Sequence, residues 1–367
     1  MSKNNSTKKT KKYELSPTNR NETKENSIKS PIDDTNRLRA LNKQAGIIEV
    51  YEDNFIEEIK NLSSLLDEYN YIGMDTEFPG TVFFAENMSE DFYYKALKKN
   101  VDKLKLIQLG ITLTNEKGEY PNNYPYHTWQ FNLEFDKNTE MFKANSINLL
   151  EECGINFGKL KKKGIKHNIF AQYFMISNLV LNPDICWVSF QGSYDFGYLL
   201  KLLLNMDLPQ REDEFINMLN LYFINYYDIR IFTKGNDNYY GGLNKIAEQL
   251  GVKREGQIHQ AGSDSAVTIK VFFKLKQNGV INNKKLKELK NVLYGIGKGQ
   301  DNDETINYTQ YRMNYQNNNK NVMNNNLPLN TNYMNMNYYY NYPMILNNQS
   351  NNLTFNQNNS GQIQTLI

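Results

Sequence analysis

Between about residues 47 and 276 the apolar positions keep either a strand period or a helix period; outside that stretch they keep neither. Ile47-Ile-Glu-Val50 predicts a short strand. Phe55, Ile59, Leu62 and Leu66 recur at helical spacing, which predicts an amphipathic helix from Asn54 to Tyr69 with Asn54 as its cap. An apolar run, Tyr71-Ile-Gly-Met74, then leads through Asp75-Thr-Glu77 to a stop at Phe78-Pro79-Gly80. Residues 90–100 read as helix and Leu106 to Leu113 as strand, followed by turn residues from Asn115 to Gly118. Trp129 to Phe135 alternates as a third strand. The strand around Asp75 and the two that follow it predict an antiparallel meander.

Helical periodicity dominates afterwards, over Thr139–Glu152, Phe157–Asn182 with a break near Gly164, Tyr194–Asn205, Arg211–Asn225, Leu243–Leu250 closed by Gly251, and Asp264–Lys276. Cys186-Trp-Val-Ser-Phe190 is a short buried strand among them. A meander followed by alternating helices and strands predicts the α/β class, with a mixed sheet flanked by helices.

Composition divides the 367 residues into three. Residues 1–40 carry ten Lys/Arg against five Asp/Glu and little apolar periodicity, and are expected to be a disordered basic tail. Residues 286–367 are expected to be an Asn/Tyr-rich low-complexity tail, since 301–367 alone hold 22 Asn and eight Tyr but five charged side chains. The folded domain is expected over 41–285. Residues 41–283 hold 25 Lys/Arg against 31 Asp/Glu, so that region lacks the basic balance of most nucleic-acid binders. A polyanion bound there would need metal ions and local lysines. Cys153 and Cys186 form no disulfide framework or zinc spacing, and reduced intracellular thiols are expected. No apolar stretch approaches a membrane span, so no membrane partner is expected.

Candidate chemistry lies in three carboxylate stretches. Asp75 and Glu77 are two residues apart on a strand, so they share a face. Two such acids repel each other and lose hydration when covered, and a divalent cation with oxygen ligands relieves both costs. Asp195 falls in the first turn of a helix behind Gly192-Ser193, with Ser193 read as the cap. Asp264 falls in the first turn of another helix, five residues after His259.

In this order the stretches resemble the DEDD superfamily of 3′-to-5′ exonucleases, whose fold is ribonuclease H-like, and the His-x-x-x-x-Asp spacing marks the His subtype. More narrowly the chain resembles the Pop/Caf-type catalytic deadenylase subunit of the CCR-NOT complex. The likeness is carried by Ile72-Gly-Met-Asp-Thr-Glu-Phe-Pro-Gly80, Leu104-Lys-Leu-Ile-Gln-Leu-Gly110, Trp187-Val-Ser-Phe190 with Tyr194-Asp-Phe-Gly-Tyr-Leu-Leu200, Gly241-Gly-Leu243 with Ala247-Glu-Gln-Leu250, and His259-Gln-Ala-Gly-Ser-Asp-Ser265. It covers about residues 45–276. Two positions depart from the family: Gln191 stands where a His is usual, and Gln257-Ile258 replaces the usual Pro-Gln.

The resemblance implies that Asp75, Glu77, Asp195 and Asp264 hold two divalent ions, Mg2+ or Mn2+, and that His259 is the general base. It implies poly(A) RNA as substrate and 5′-AMP as product. It implies a Not scaffold and a second deadenylase as partners, and a location in both cytoplasm and nucleus. Asp228, which matches a family position, is expected to support the site rather than bind metal. From residue type and position, Phe78 is a candidate for stacking on terminal bases, and Lys98, Lys99 and Lys105 for phosphate contact. The rival readings are a DNA or general RNA exonuclease of the same fold, and a non-catalytic adaptor of the same complex.

Overall fold

The structure, a computed structural model, describes residues 40–84 and 92–299. Six strands, β1 (Ile47–Val50), β2 (Tyr71–Glu77), β3 (Gln108–Thr114), β4 (Thr128–Asn132), β5 (Cys186–Ser189) and β6 (Tyr226–Asp228), form one sheet in the order β1-β4-β3-β2-β5-β6. The β2-β3-β4 meander is antiparallel as expected. β5 joins β2 in parallel and β6 joins β5 in parallel. β1 adds a parallel edge beside β4, outside the meander. This is the mixed, ribonuclease H-like arrangement that the motifs implied.

Alternation along β2 sets up everything else. Ile72 and Met74 are fully buried in the larger core, with Leu109, Ile111 and Phe131 from the neighbouring strands and Phe170, Phe196 and Leu199 from helices on that face. Gly73, Asp75 and Glu77 turn to the opposite face. The long helix Ala261–Gln277 covers that second face, burying Val267, Ile269 and Phe272 beside Val188. Its first turns press on glycines. A Cβ on Gly110 would lie 1.9 Å from the Ala261 carbonyl oxygen, and one on Gly73 would lie 2.6 Å from that of Ser265. Gly110 is the register partner of Asp75, so the helix start is held directly over the carboxylate strand.

Several expectations move. Asn54 does not cap its helix, Phe55–Ser63; its side chain accepts from Tyr51 N at 2.8 Å and donates to Glu49 O at 3.2 Å, tying down the preceding turn. Gly192, not Ser193, caps the helix Ser193–Leu204, and Ser193 Oγ instead pairs with Tyr93 OH at 2.8 Å. The helix expected from Thr139 begins at Ala144, and the one expected to reach Asn182 ends at Met175, where Asn178 and Leu181 take left-handed backbone. β6 and the short helix Ile229–Thr233 had no clear periodicity. The fold also continues past the boundary set at 285. Leu293 and Ile296 are buried in the larger core, because the segment 286–299 carries enough apolar side chains to pack. Residues 1–39 and 300–367, expected as tails, lie outside the described residues.

Candidate active site

Three segments meet at the end of β2. Asp75 and Glu77 project from its second face. β5 pairs with β2 only as far as Gly73↔Val188, which leaves the later β2 N–H groups on that side without a strand partner. Asp195, in the first turn of the Ser193–Leu204 helix, takes the place of that partner. Its Oδ1 accepts from Thr76 N at 2.9 Å and from Thr76 Oγ1 at 2.5 Å. The third segment is the start of the Ala261–Gln277 helix and the turn before it. Here one ligand atom each of Glu77, His259 and Asp264 lies within 4.8 Å of the others.

Buried amides hold this third segment. Gln108 Oε1 accepts from Ala261 N at 3.3 Å and Gln130 Oε1 accepts from Gly262 N at 3.0 Å, so side chains of β3 and β4 cap a helix whose own N-cap residue, Gln260, makes no cap bond. Gln260 instead accepts from Gln130 Nε2 at 2.8 Å and donates to the Cys153 carbonyl at 2.8 Å. His259 sits at φ 56°, a conformation a non-glycine residue adopts only where its surroundings enforce it.

The electrostatics are those of a crowded anionic site. Loss of hydration pushes the Asp75 carboxyl well above the usual range, and the charges of Asp264, Asp195 and Glu77 push it further; Arg254 opposes them. Glu77 is raised by the same desolvation and by Asp264 and Asp195. Burial raises Asp195 to about 7, against the Thr76 hydrogen bonds, which lower it. Burial lowers His259, Asp264 opposes that shift, and Arg254 adds to it. A set of clustered oxygen donors with an imidazole, carrying more negative charge than one guanidinium offsets, fits hard divalent cations.

Asp228 supports the Asp195 turn from behind. It is fully buried and accepts four backbone N–H groups: Gln191 at 2.8 Å, Gly192 at 3.2 Å, Arg230 at 3.0 Å and Tyr294 at 3.0 Å. Gln191 therefore acts through its backbone, at φ 55°, where the turn into the Asp195 helix requires left-handed geometry.

The CAF1 family ribonuclease profile matches residues 50–172. A probable CCR4-associated factor 1 homolog 7 of Arabidopsis thaliana is 42% identical over 260 residues, spanning 68% of this chain and 93% of that protein. Poly(A) ribonuclease pop2 of Schizosaccharomyces pombe is 38% identical over 257 residues, 68% of this chain and 75% of that protein. The chain belongs to the CAF1 ribonuclease family. Among solved structures, S. pombe Pop2p in its Mg2+ and Mn2+ bound form matches with TM-score 0.65 at 38% identity, covering 68% of this chain and all of that one. Yeast CAF1 co-crystallized with the NOT1 MIF4G domain matches with TM-score 0.58 at 28% identity, covering 68% and 96%.

Two of the candidate substrate contacts in this CAF1-family chain are otherwise engaged. Lys98, with 12% of its side chain exposed, pairs with Asp102 at 2.5 Å and donates to the Leu208 carbonyl at 2.7 Å, so it joins a helix to a loop rather than reaching phosphate. Lys105 pairs with Glu140 at 2.7 Å on the surface. The Lys99 ammonium lies 4.9 Å from the centroid of the Phe83 ring. Phe78 stacks on Tyr194 and Tyr198, with centroids 5.4 and 5.0 Å away, and is half-buried against the core. Its ring is thus packed against two tyrosines of the protein. Thr76 and Arg254 were missed in the sequence. The only signal for Thr76 was its place inside the Asp-x-Glu pair, and for Arg254 a Lys253-Arg254 pair shortly before His259.

Proposed function

We propose that this chain is a 3′-to-5′ exoribonuclease that shortens poly(A) tails and releases 5′-AMP, as the catalytic subunit of a CCR-NOT-type complex. One observation carries the reading: Asp75, Glu77, Asp195, Asp264 and His259, spread over three chain segments, converge at one end of β2. The relatives named for poly(A) ribonuclease activity, for binding Mg2+ and Mn2+ and for pairing with NOT1 support the substrate, the cation and the partner. The CCR4-associated names of the relatives support a further subunit beside NOT1, which we take to be a second deadenylase, and we extend the proposal to action in cytoplasm and nucleus.

In this proposal Asp75, Glu77 and Asp264 would hold one divalent cation, and Asp75 with Asp195 would hold the other. When bound, the pair supplies Lewis-acid stabilisation of the attacking and leaving oxygens. The protein's own groups do the rest. Lowered by burial, the His259 ring is neutral at neutral pH and accepts the proton of the attacking water. The water oxygen forms a bond to phosphorus, the bond from phosphorus to the 3′ oxygen breaks, and that oxygen takes a proton from solvent. Asp228 keeps the Asp195 turn in place, and the exposed side of Phe78 borders the strand end where the terminal base would lie. Lys98, tied to Asp102 and Leu208, has no part in it, and Lys105, half exposed beside Glu140, stays a candidate for phosphate contact.

The full-length chain, incubated with a 3′-tailed RNA and Mg2+ or Mn2+, should give a ladder ending at the tail boundary. Chelator and Asp75→Ala should each abolish it. Equal degradation of DNA or of other RNA homopolymers would remove the poly(A) assignment, and retained shortening by Asp75→Ala would remove the site assignment.

A further inference from the structure

Arg254 lies in the loop between the helices Leu243–Gln249 and Ala261–Gln277. It is the one cation among the described residues that the electrostatics of Asp75, Glu77 and His259 share. Its guanidinium is mostly buried, with 20% of the side chain exposed. It does not simply neutralise an acid. Nη2 donates to Asp264 Oδ1 at 2.6 Å and to Asn244 Oδ1, and Nη1 donates to Ser263 Oγ at 2.8 Å. Ser263 Oγ in turn donates to the Glu255 carbonyl at 3.0 Å. One planar group thus joins the first helix, the loop that leads to His259, and the start of the second.

A carboxylate with one oxygen held in this way cannot spin about its terminal bond, and its other oxygen is presented in a fixed direction. We infer that Arg254 is a positioning residue that clamps Asp264, through its fork of donors rather than its charge, into the orientation in which Asp264 and His259 face Glu77. The inference rests on the divalent-cation reading of the site given above. Two effects of opposite sign compete. A guanidinium beside a cation site repels the cation, so deleting it should tighten binding if charge governs. If the fork governs, deleting it should loosen binding, because the carboxylate loses its orientation. The geometry favours the fork: two nitrogens of one planar group engage three acceptors on two helices, which an ammonium cannot reproduce.

The test is Mn2+ titration of the full-length protein by calorimetry, in wild type, Arg254→Lys, Arg254→Gln and Asn244→Ala. Loss of a hydrogen-bonded support of a metal ligand costs on the order of 10- to 100-fold in affinity. Arg254→Lys and Arg254→Gln should both fall in that range, the lysine giving no rescue. Asn244→Ala, which removes one anchor of the clamp and leaves its charge, should weaken binding in the same direction by less. In turnover, kcat should fall while KM for tailed RNA stays unchanged; a rise in KM with kcat unchanged would make Arg254 a substrate contact and overturn the inference. Mn2+ affinity that is unchanged or tighter in Arg254→Gln, or restored by Arg254→Lys, would also overturn it while leaving the cation site standing. A wild-type chain that takes up no Mn2+ would overturn both. Should the Arg254 variants fail to fold by circular dichroism, Asn244→Ala decides alone, and wild-type affinity in it counts against the clamp.

Discussion

Thr76 gives both its backbone N–H and its hydroxyl to a single oxygen of Asp195, a residue 119 positions further along the chain. The contact exists because β5 stops short of the carboxylate end of β2, so a side chain completes what the sheet does not. Thr76→Val keeps the strand and the N–H but deletes the hydroxyl. The expected result is a folded protein with kcat about tenfold lower and weaker Mn2+ binding. The hydroxyl also lowers the Asp195 carboxyl, so the acid limb of the rate profile should move to higher pH. A rate profile of the variant over pH, beside wild type, checks both.

Cation uptake should be linked to protons. Asp75 and Glu77 are held well above the ordinary carboxylate range, and Asp195 at about 7, so the cation-free site carries protons that ligation must displace. The sign follows: affinity for Mn2+ rises with pH and binding releases protons. Calorimetry at neutral pH in two buffers of different ionisation enthalpy reads the release directly. An affinity that stays flat between about pH 5.5 and 8 would contradict these raised values.

Gly110→Ala should be severe. Its Cβ would fall 1.9 Å from the Ala261 carbonyl oxygen and 2.1 Å from the carbonyl carbon, backbone atoms that shift only if the helix start lifts off the sheet. Overpacking of this kind costs about 1–3 kcal/mol or more. Thermal unfolding should show a larger loss for Gly110→Ala than for Gly73→Ala, whose nearest contact is 2.6 Å. Activity should fall further than stability, since the lifted segment carries His259 and Asp264.

Asp228→Asn tests the support behind Asp195. The amide keeps one acceptor oxygen for four N–H groups and turns an NH2 toward the others. A loss of at least about 2 kcal/mol in denaturant unfolding is expected, with reduced Mn2+ affinity. Because Tyr294 N is one of the four, a chain ending at residue 289 should lose activity that a chain ending at 299 keeps.

Much of this was legible in the sequence for identifiable reasons. The period-two alternation of β2 put Asp75 and Glu77 on one face, and Gly192-Ser193 and Gly262-Ser263 announced helix starts that bring Asp195 and Asp264 into first turns. What stayed hidden depends on contacts between distant segments. Asn54 has cap chemistry, yet the Tyr51–Asn54 turn claims its side chain. Lys98 looks like any surface lysine until the Leu208 loop folds back on it. β6 is three residues long, too short for a period to register. The apolar residues of segment 286–299 follow no clear period, and Leu293 and Ile296 count as core only once the rest of the fold packs around them.

The crowding of Asp75, Glu77 and Asp195 also has a thermodynamic side. Groups whose folded pKa is raised favour the native state in acid, and that advantage drains away as pH climbs through those values. Near neutrality, then, these carboxylates are a weak point in an otherwise well-packed molecule unless a cation neutralises them. Asp75→Asn, though inert, should melt at a higher temperature than its parent in chelator, and the order should reverse once Mn2+ is added. Such a protein is most robust when it is loaded and ready to cut.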